Sequence, residues 1–225
     1  IKKLMDSSDG YANWCEFVGA HSNIIPCLQI KELKKLELQV SRLSSLRKGV
    51  VLRLKISDLE STSRLNNILN SVAELENIFI IVDLEQIDRD QIKYISQIET
   101  YIEFIKNKVP MSLISVSSTS FPDSFGGYYK NTKSIYERAL FDKLVLKFPG
   151  LVYSDRGGAR ATKLSGGGGT PPPRIDYAQR NEWHFIRKEF EQDYDDIENS
   201  TELRREEKKE LYTQIAQEVV KQGYW

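Results

Sequence analysis

The 225-residue chain carries 32 basic and 32 acidic side chains, so it has no net field to gather nucleic acid, although a local basic patch stays open. Its 40% hydrophobic and 28% charged content belongs to a globular protein, and the length supports one core, so one domain is the expectation. No apolar run approaches the ~20 residues that span a bilayer, and the opening IKKLMDSSDG lacks the apolar centre of a signal peptide, which indicates a cytoplasmic setting without membrane contact.

The first residue is Ile1, which gives the expectation that the chain is part of something longer. Cys15 and Cys27 stand in no metal-binding spacing and read as buried free thiols. From there a strand-then-helix rhythm sets in. The strand candidates are NIIPCLQI from Asn23, GVVLRLKI from Gly49, IFIIVDLE from Ile78, MSLISVSST from Met111, GLVYSD from Gly150 and WHFIR from Trp183. Between them, apolar residues recur at helical spacing. Leu33, Leu36, Val40 and Leu43 form the first stripe, and Leu65, Ile68, Leu69, Val72 and Leu75 the second. Ile92, Ile95, Ile98, Ile102 and Ile105 form the third, behind Asp88 as an N-cap. A further helix is expected from about Asn131 to Lys147, with Ile135, Ala139, Leu140 and Leu144 inward and a stop at Pro149 and Gly150.

This spacing predicts an α/β fold of parallel strands: a TIM-barrel-like (β/α) repeat, incomplete and lacking its N-terminal strands, or alternatively an open doubly wound sheet. No GxGxxG follows the first strand, which lowers a dinucleotide-binding reading. The barrel-like domain is expected over 1–197, with a Gly/Pro-rich loop at 156–173. A charged helix over 198–225 follows, capped by Ser200 or Thr201 and packed on the same domain through Leu211, Ile215, Ala216 and Val219.

In either fold, functional side chains gather at the carboxyl ends of the strands. That rule selects Arg53 and Lys55, Asp83 and Glu85, Ser117, Tyr153, Asp155, Arg156 and Arg160, with Arg174 beyond the loop. Arg53 and Asp83 on consecutive strands either neutralise one another or contact a ligand. The basic residues suit an anion such as phosphate, and Asp83 with Glu85 a metal or a general-base role. No spacing is diagnostic of a catalytic set, His184 reads as structural, and the four glycines from Gly166 lack the Lys and Ser/Thr of a phosphate-binding loop.

Taken together and in order, GVVLRLKISDLE, IIVDLE, SSTSFPDSFGG, IYERALFDKL, LVYSDRGGAR and PPPRIDYAQRNEWHFIR resemble the bacterial beta protein family, known from a satellite-phage locus and from phage-defence islands. The resemblance covers roughly Asn23 to Arg187. It implies a TIM-barrel-type protein whose relatives begin earlier, with a strand pair, and continue past Trp225. It also implies that the Gly/Pro stretch is a long loop between two strands, read either as a flap over the barrel mouth or as a plain disordered loop. Where Tyr153, Ser154 and Asp155 match the family's string, Arg156 stands at a position where an aromatic is common. The resemblance brings no catalytic residues and leaves enzyme status and cofactor unknown. It implies a component of an anti-phage defence or phage-exclusion module, acting as sensor or effector, with proteins of the same locus or a phage component as partners. Nucleic acid is a further partner class, one that net charge does not favour. A metal-dependent hydrolase or phosphodiesterase is the alternative.

Overall fold

The computed structural model describes residues 2–122, 129–159, 161, 172–191 and 200–223. In chain order the elements are α1 (Ala12–Gly19), α2 (Leu36–Ser44), β1 (Val50–Lys55), α3 (Ile56–Glu60), α4 (Thr62–Val72) and β2 (Ile78–Gln86). A 3₁₀ turn (Asp90–Tyr94) leads into α5 (Ile95–Lys108), then β3 (Leu113–Thr119), β4 (Lys130–Ser134), α6 (Tyr136–Lys147) and β5 (Val152–Asp155). The chain finishes with β6 (Arg174–Ala178), β7 (Glu182–Arg187) and α7 (Ser200–Val220).

Period-two alternation builds the main sheet. Val50, Leu52 and Leu54 of β1, Ile78, Ile80 and Val82 of β2, and Ile114 and Val116 of β3 share one face and are buried. They join one apolar cluster with Val40 and Leu43 of α2, Ile68 and Leu69 of α4, Ile102 and Ile105 of α5, and Leu140 and Leu144 of α6. The opposite face behaves differently. Val51, Phe79 and Ile81 are half-buried there, while Leu113 is 60% and Val152 40% exposed.

The strands pair in the order β1-β2-β3-β5, all parallel. This order contains no reversal, and the helices of that cluster share one face, whereas a doubly wound sheet reverses its order and carries helices on both faces. The described strands thus show an open parallel sheet without the reversal of that alternative. The described strands form no closed barrel either, since β1 and β5 are the two ends of the order.

Three expectations change. NIIPCLQI makes only an isolated bridge, Cys27 to Val51, because Pro26 has no N–H to extend the ladder. Residues 130–134 form a strand, and helix α6 begins after Ile135 rather than near Asn131. WHFIR does not extend the parallel sheet. β6 and β7 are separated only by 179–181, too short for a parallel crossover, so they pair antiparallel in a second sheet of order β4-β7-β6.

Trp183 and Phe185 of the second sheet pack on Phe121 and Ile135, with Phe121 and Trp183 edge-to-face at 5.1 Å. Its other face meets α7, where Ile186 packs with Ile215 and Val219. Tyr129 donates to Glu218 of α7, and that bond, with burial, raises the tyrosine to about 12. Cys15 is a buried free thiol as expected. Cys27 is free but only half-buried, placed by its bridge at the margin of β1.

The two faces of the sheet yield a direct expectation. Ile80→Ala should cost about 2–5 kcal/mol in urea denaturation, and Leu113→Ala within about 0.5 kcal/mol of nothing. Equal losses would show that both faces are buried alike.

Candidate functional site

The carboxyl ends of β1 and β2 bring their charged residues into register, with Lys55 opposite Asp83 and Asp83 opposite Ser117 of β3. Asp58 supports the end of β1: one of its oxygens accepts the Lys55 N–H at 3.1 Å and the other Arg64 Nε at 2.8 Å. Helix α3 can thus begin directly after the strand.

Asp83 is the centre of the group, with its side chain only 2% exposed. Its Oδ2 accepts Arg53 Nε at 2.6 Å and Arg156 Nη2 at 2.7 Å, and Arg53 Nη2 pairs with the same oxygen. Its Oδ1 accepts the Glu85 N–H at 2.9 Å. Burial alone would raise this carboxyl, but Arg156, the Glu85 amide and Arg53 outweigh it and hold Asp83 below its ordinary value.

Between Asp83 and Gln86 the register advances three residues in β2 for two in β3, which is a β-bulge. Within it Glu85 adopts φ 59°, a left-handed conformation that costs a non-glycine residue of order 1–3 kcal/mol. Its amide on Asp83 and its carboxylate, 2.6 Å from Lys55 Nζ, hold it there. The Lys55 side chain is 47% exposed, so this ion pair fixes geometry more than it adds stability.

The loop after β5 crosses these strand ends. Gly157, at φ 54°, makes the turn, and its N–H bonds Asp155 Oδ1 at 2.9 Å. Thr119 Oγ1 donates to the Ala159 carbonyl at 3.2 Å, and Arg156 Nη1 to the Ala161 carbonyl at 3.3 Å. Of the loop expected over 156–173 and read as a flap, residues 160 and 162–171 lie outside the described residues, so Arg160 does too.

Of the residues selected from the sequence, the fold brings together Arg53, Lys55, Asp83, Glu85 and Arg156, with Ser117 alongside. It places Tyr153, Asp155 and Arg174 elsewhere. Ser154 is the residue of β5 in register with Ser117, so Tyr153 and Asp155 take the helix-covered face. There the Tyr153 ring meets Phe141 at 5.2 Å and its hydroxyl donates to Asp155 at 2.7 Å, and burial with this bond pushes the phenol far above its ordinary value. Arg174 belongs to the second sheet, 2.7 Å from Asp176 and over the Phe121 ring.

A pocket of about 490 Å³ opens beside the bulge, lined by Ile56, Leu84 and Ile98, by Tyr94, Gln97 and Tyr101, and by Glu60, Glu85, Gln86 and Ala161. The spacing of Tyr94, Gln97 and Tyr101 at the start of the helix that follows β2 was a legible signal, because that helix end adjoins the strand's carboxyl end. Glu137 was also missed. It is 2% exposed, it accepts the Ser120 N–H at 2.9 Å through Oε2, and no described group reaches its Oε1. Among the described residues no group of three or more His, Cys, Asp or Glu side chains converges to hold a metal.

Comparisons with known proteins agree on one family. A family model described as Beta protein matches residues 1–225. Protein beta of Enterobacteria phage P4 is 26% identical over 193 residues, which are 83% of this chain and 54% of that protein. The chain thus spans about half the length of this curated relative. No solved structure matches. Among the described residues no helix is long and apolar enough to cross a membrane.

Asp83 makes stability pH-dependent. Its carboxyl titrates lower in the fold than its reference value of 3.8, so the unfolded chain takes up the proton first. The contribution is present above that value and is lost as pH falls from it through the folded value. Asp83→Asn should lower stability at neutral pH and flatten this acid-side decline in denaturant titrations. An acid profile that superimposes on the wild type would refute the assignment.

Proposed function

Since the chain belongs to the Beta protein family, we propose that it acts in an anti-phage defence or phage-exclusion module, as a sensor or effector working through the charged strand ends. The observation that carries this reading is the sharing of one buried carboxylate by two arginines. Two guanidinium groups against Asp83 leave one positive charge in excess, and the Arg53 and Arg156 side chains remain 41% and 21% exposed. Such a pair suits an anionic group on a ligand, with bidentate donors available. The phage origin of the relative supports the link to phage biology.

In this reading the parallel sheet is a sector of a TIM-type barrel. The half-open face of Val51, Phe79, Ile81, Leu113 and Val152 would be its interior, closed by further strands. Residues 1–197 form the barrel-like unit, the helix of 198–225 packs on it, and the protein works in the cytoplasm with proteins of its locus or a phage component. Tyr153, Asp155 and Arg174 belong to the supporting structure in this view. A metal-dependent hydrolase would need Asp83 and Glu85 free, but both are engaged by cationic side chains.

Phage plaquing on cells carrying the gene in its own locus tests the reading. Asp83→Ala and Arg156→Ala should each raise plaquing to that of cells lacking the gene, while immunoblots show normal accumulation. Protection that survives both changes overturns the site.

A further inference from the structure

We propose that the pocket beside the bulge binds the base of a mononucleotide carrying an exocyclic amine, whose phosphate rests on Arg53 and Arg156. The inference deepens the reading of the strand ends as a ligand site, and rests on it.

The pocket has the size of a small-molecule site, with an apolar floor and a polar rim. Ile56, Leu84 and Ile98 make the floor, and the Tyr94 and Tyr101 rings offer surfaces on which a planar heterocycle can stack. Gln97 supplies an amide able both to donate and to accept, and it is already oriented by its bond to the Tyr101 hydroxyl at 2.7 Å. Glu60 and Glu85 only accept while ionised, so they favour a ligand edge that presents N–H groups. An exocyclic amine on a nucleobase has that character.

Glu60, beside a Glu85 that Lys55 already pairs, disfavours phosphate in the recess, so the phosphate is placed outside it. Two residues connect the pocket to the basic pair. Ala161 lines the pocket, and its carbonyl accepts from Arg156. Glu85 lines it too, and its amide holds the carboxylate that both arginines share. An acidic, aromatic recess next to paired arginines is complementary to a molecule with an amine-bearing ring at one end and a phosphate at the other. A free phosphate would satisfy only the arginines, and a nucleoside only the recess.

Calorimetric titration of the purified chain with AMP, UMP, adenosine and inorganic phosphate separates these contributions. AMP should bind more tightly than UMP, adenosine or phosphate. The exposed positions Tyr94 and Gln97 can be changed without disturbing the core, and Tyr94→Ala and Gln97→Ala should each weaken AMP about tenfold while leaving phosphate binding unchanged. Arg156→Ala should remove the advantage of AMP over adenosine. Thermal unfolding curves identify any variant that fails to fold, and Gln97→Glu then provides the second test, since an added carboxylate in the rim should weaken UMP more than AMP. Absence of AMP binding, or AMP binding that both pocket variants leave intact, overturns the inference. If plaquing still depends on Asp83 and Arg156 in that case, the strand ends serve another ligand and only the nucleotide assignment falls.

Discussion

A carboxylate removed from water at the end of a strand remains ionised only if cations and amides replace its hydration shell, and this constraint organises the strand ends here. Asp83 meets it with a guanidinium from β1, a second from the loop after β5, and a backbone amide from its own strand. Each donor comes from a different part of the chain. The ion group therefore fixes the relation of β1 to β2 and draws the β5 loop across their ends, work that apolar packing does on the helix side of the same sheet. Truncating the carboxylate would leave two arginines facing one another, so the site and the local structure depend on the same atoms.

How much of this was legible follows from the range over which each signal acts. The strands IFIIVDLE and GVVLRLKI, and the helix stripes at Leu65 to Val72 and Ile98 to Ile105, announced themselves because period and burial coincide within one segment. The placing of Arg53 and Asp83 near the ends of neighbouring strands was also readable, although the register sets Asp83 opposite Lys55, two residues beyond Arg53. The partnership of WHFIR was not. An alternating run of that length states that it is a strand, but its direction is set by the short connection at 179–181 and by a partner, KNTKS, too polar to look like a strand at all. Residues 130–134 pair because β7 offers a ladder, and no local preference reveals that.

The split of the site list has a similar origin. Alternation assigns Tyr153 and Asp155 to one face and Ser154 to the other, but which of the two faces the helices is fixed by register with Ser117. A strand-end rule that ignores parity collects residues from both faces. Arg156 escapes parity because it lies beyond the last paired residue, and a turn at Gly157 frees its side chain to return over β2.

The bulge at Glu85 unites the two halves of the strand-end region. In an unbroken strand, residues 83 and 85 would project to the same side, and Glu85 would compete with Asp83 for the same arginines. The extra residue and the left-handed backbone re-aim the chain, so the amide of Glu85 serves Asp83 while its carboxylate turns to Lys55 and the pocket wall. The backbone strain thus separates an ionic group with one guanidinium in excess from the recess that adjoins it. With both carboxylates on one face, the two like charges would repel; apart, each has its own cationic partner.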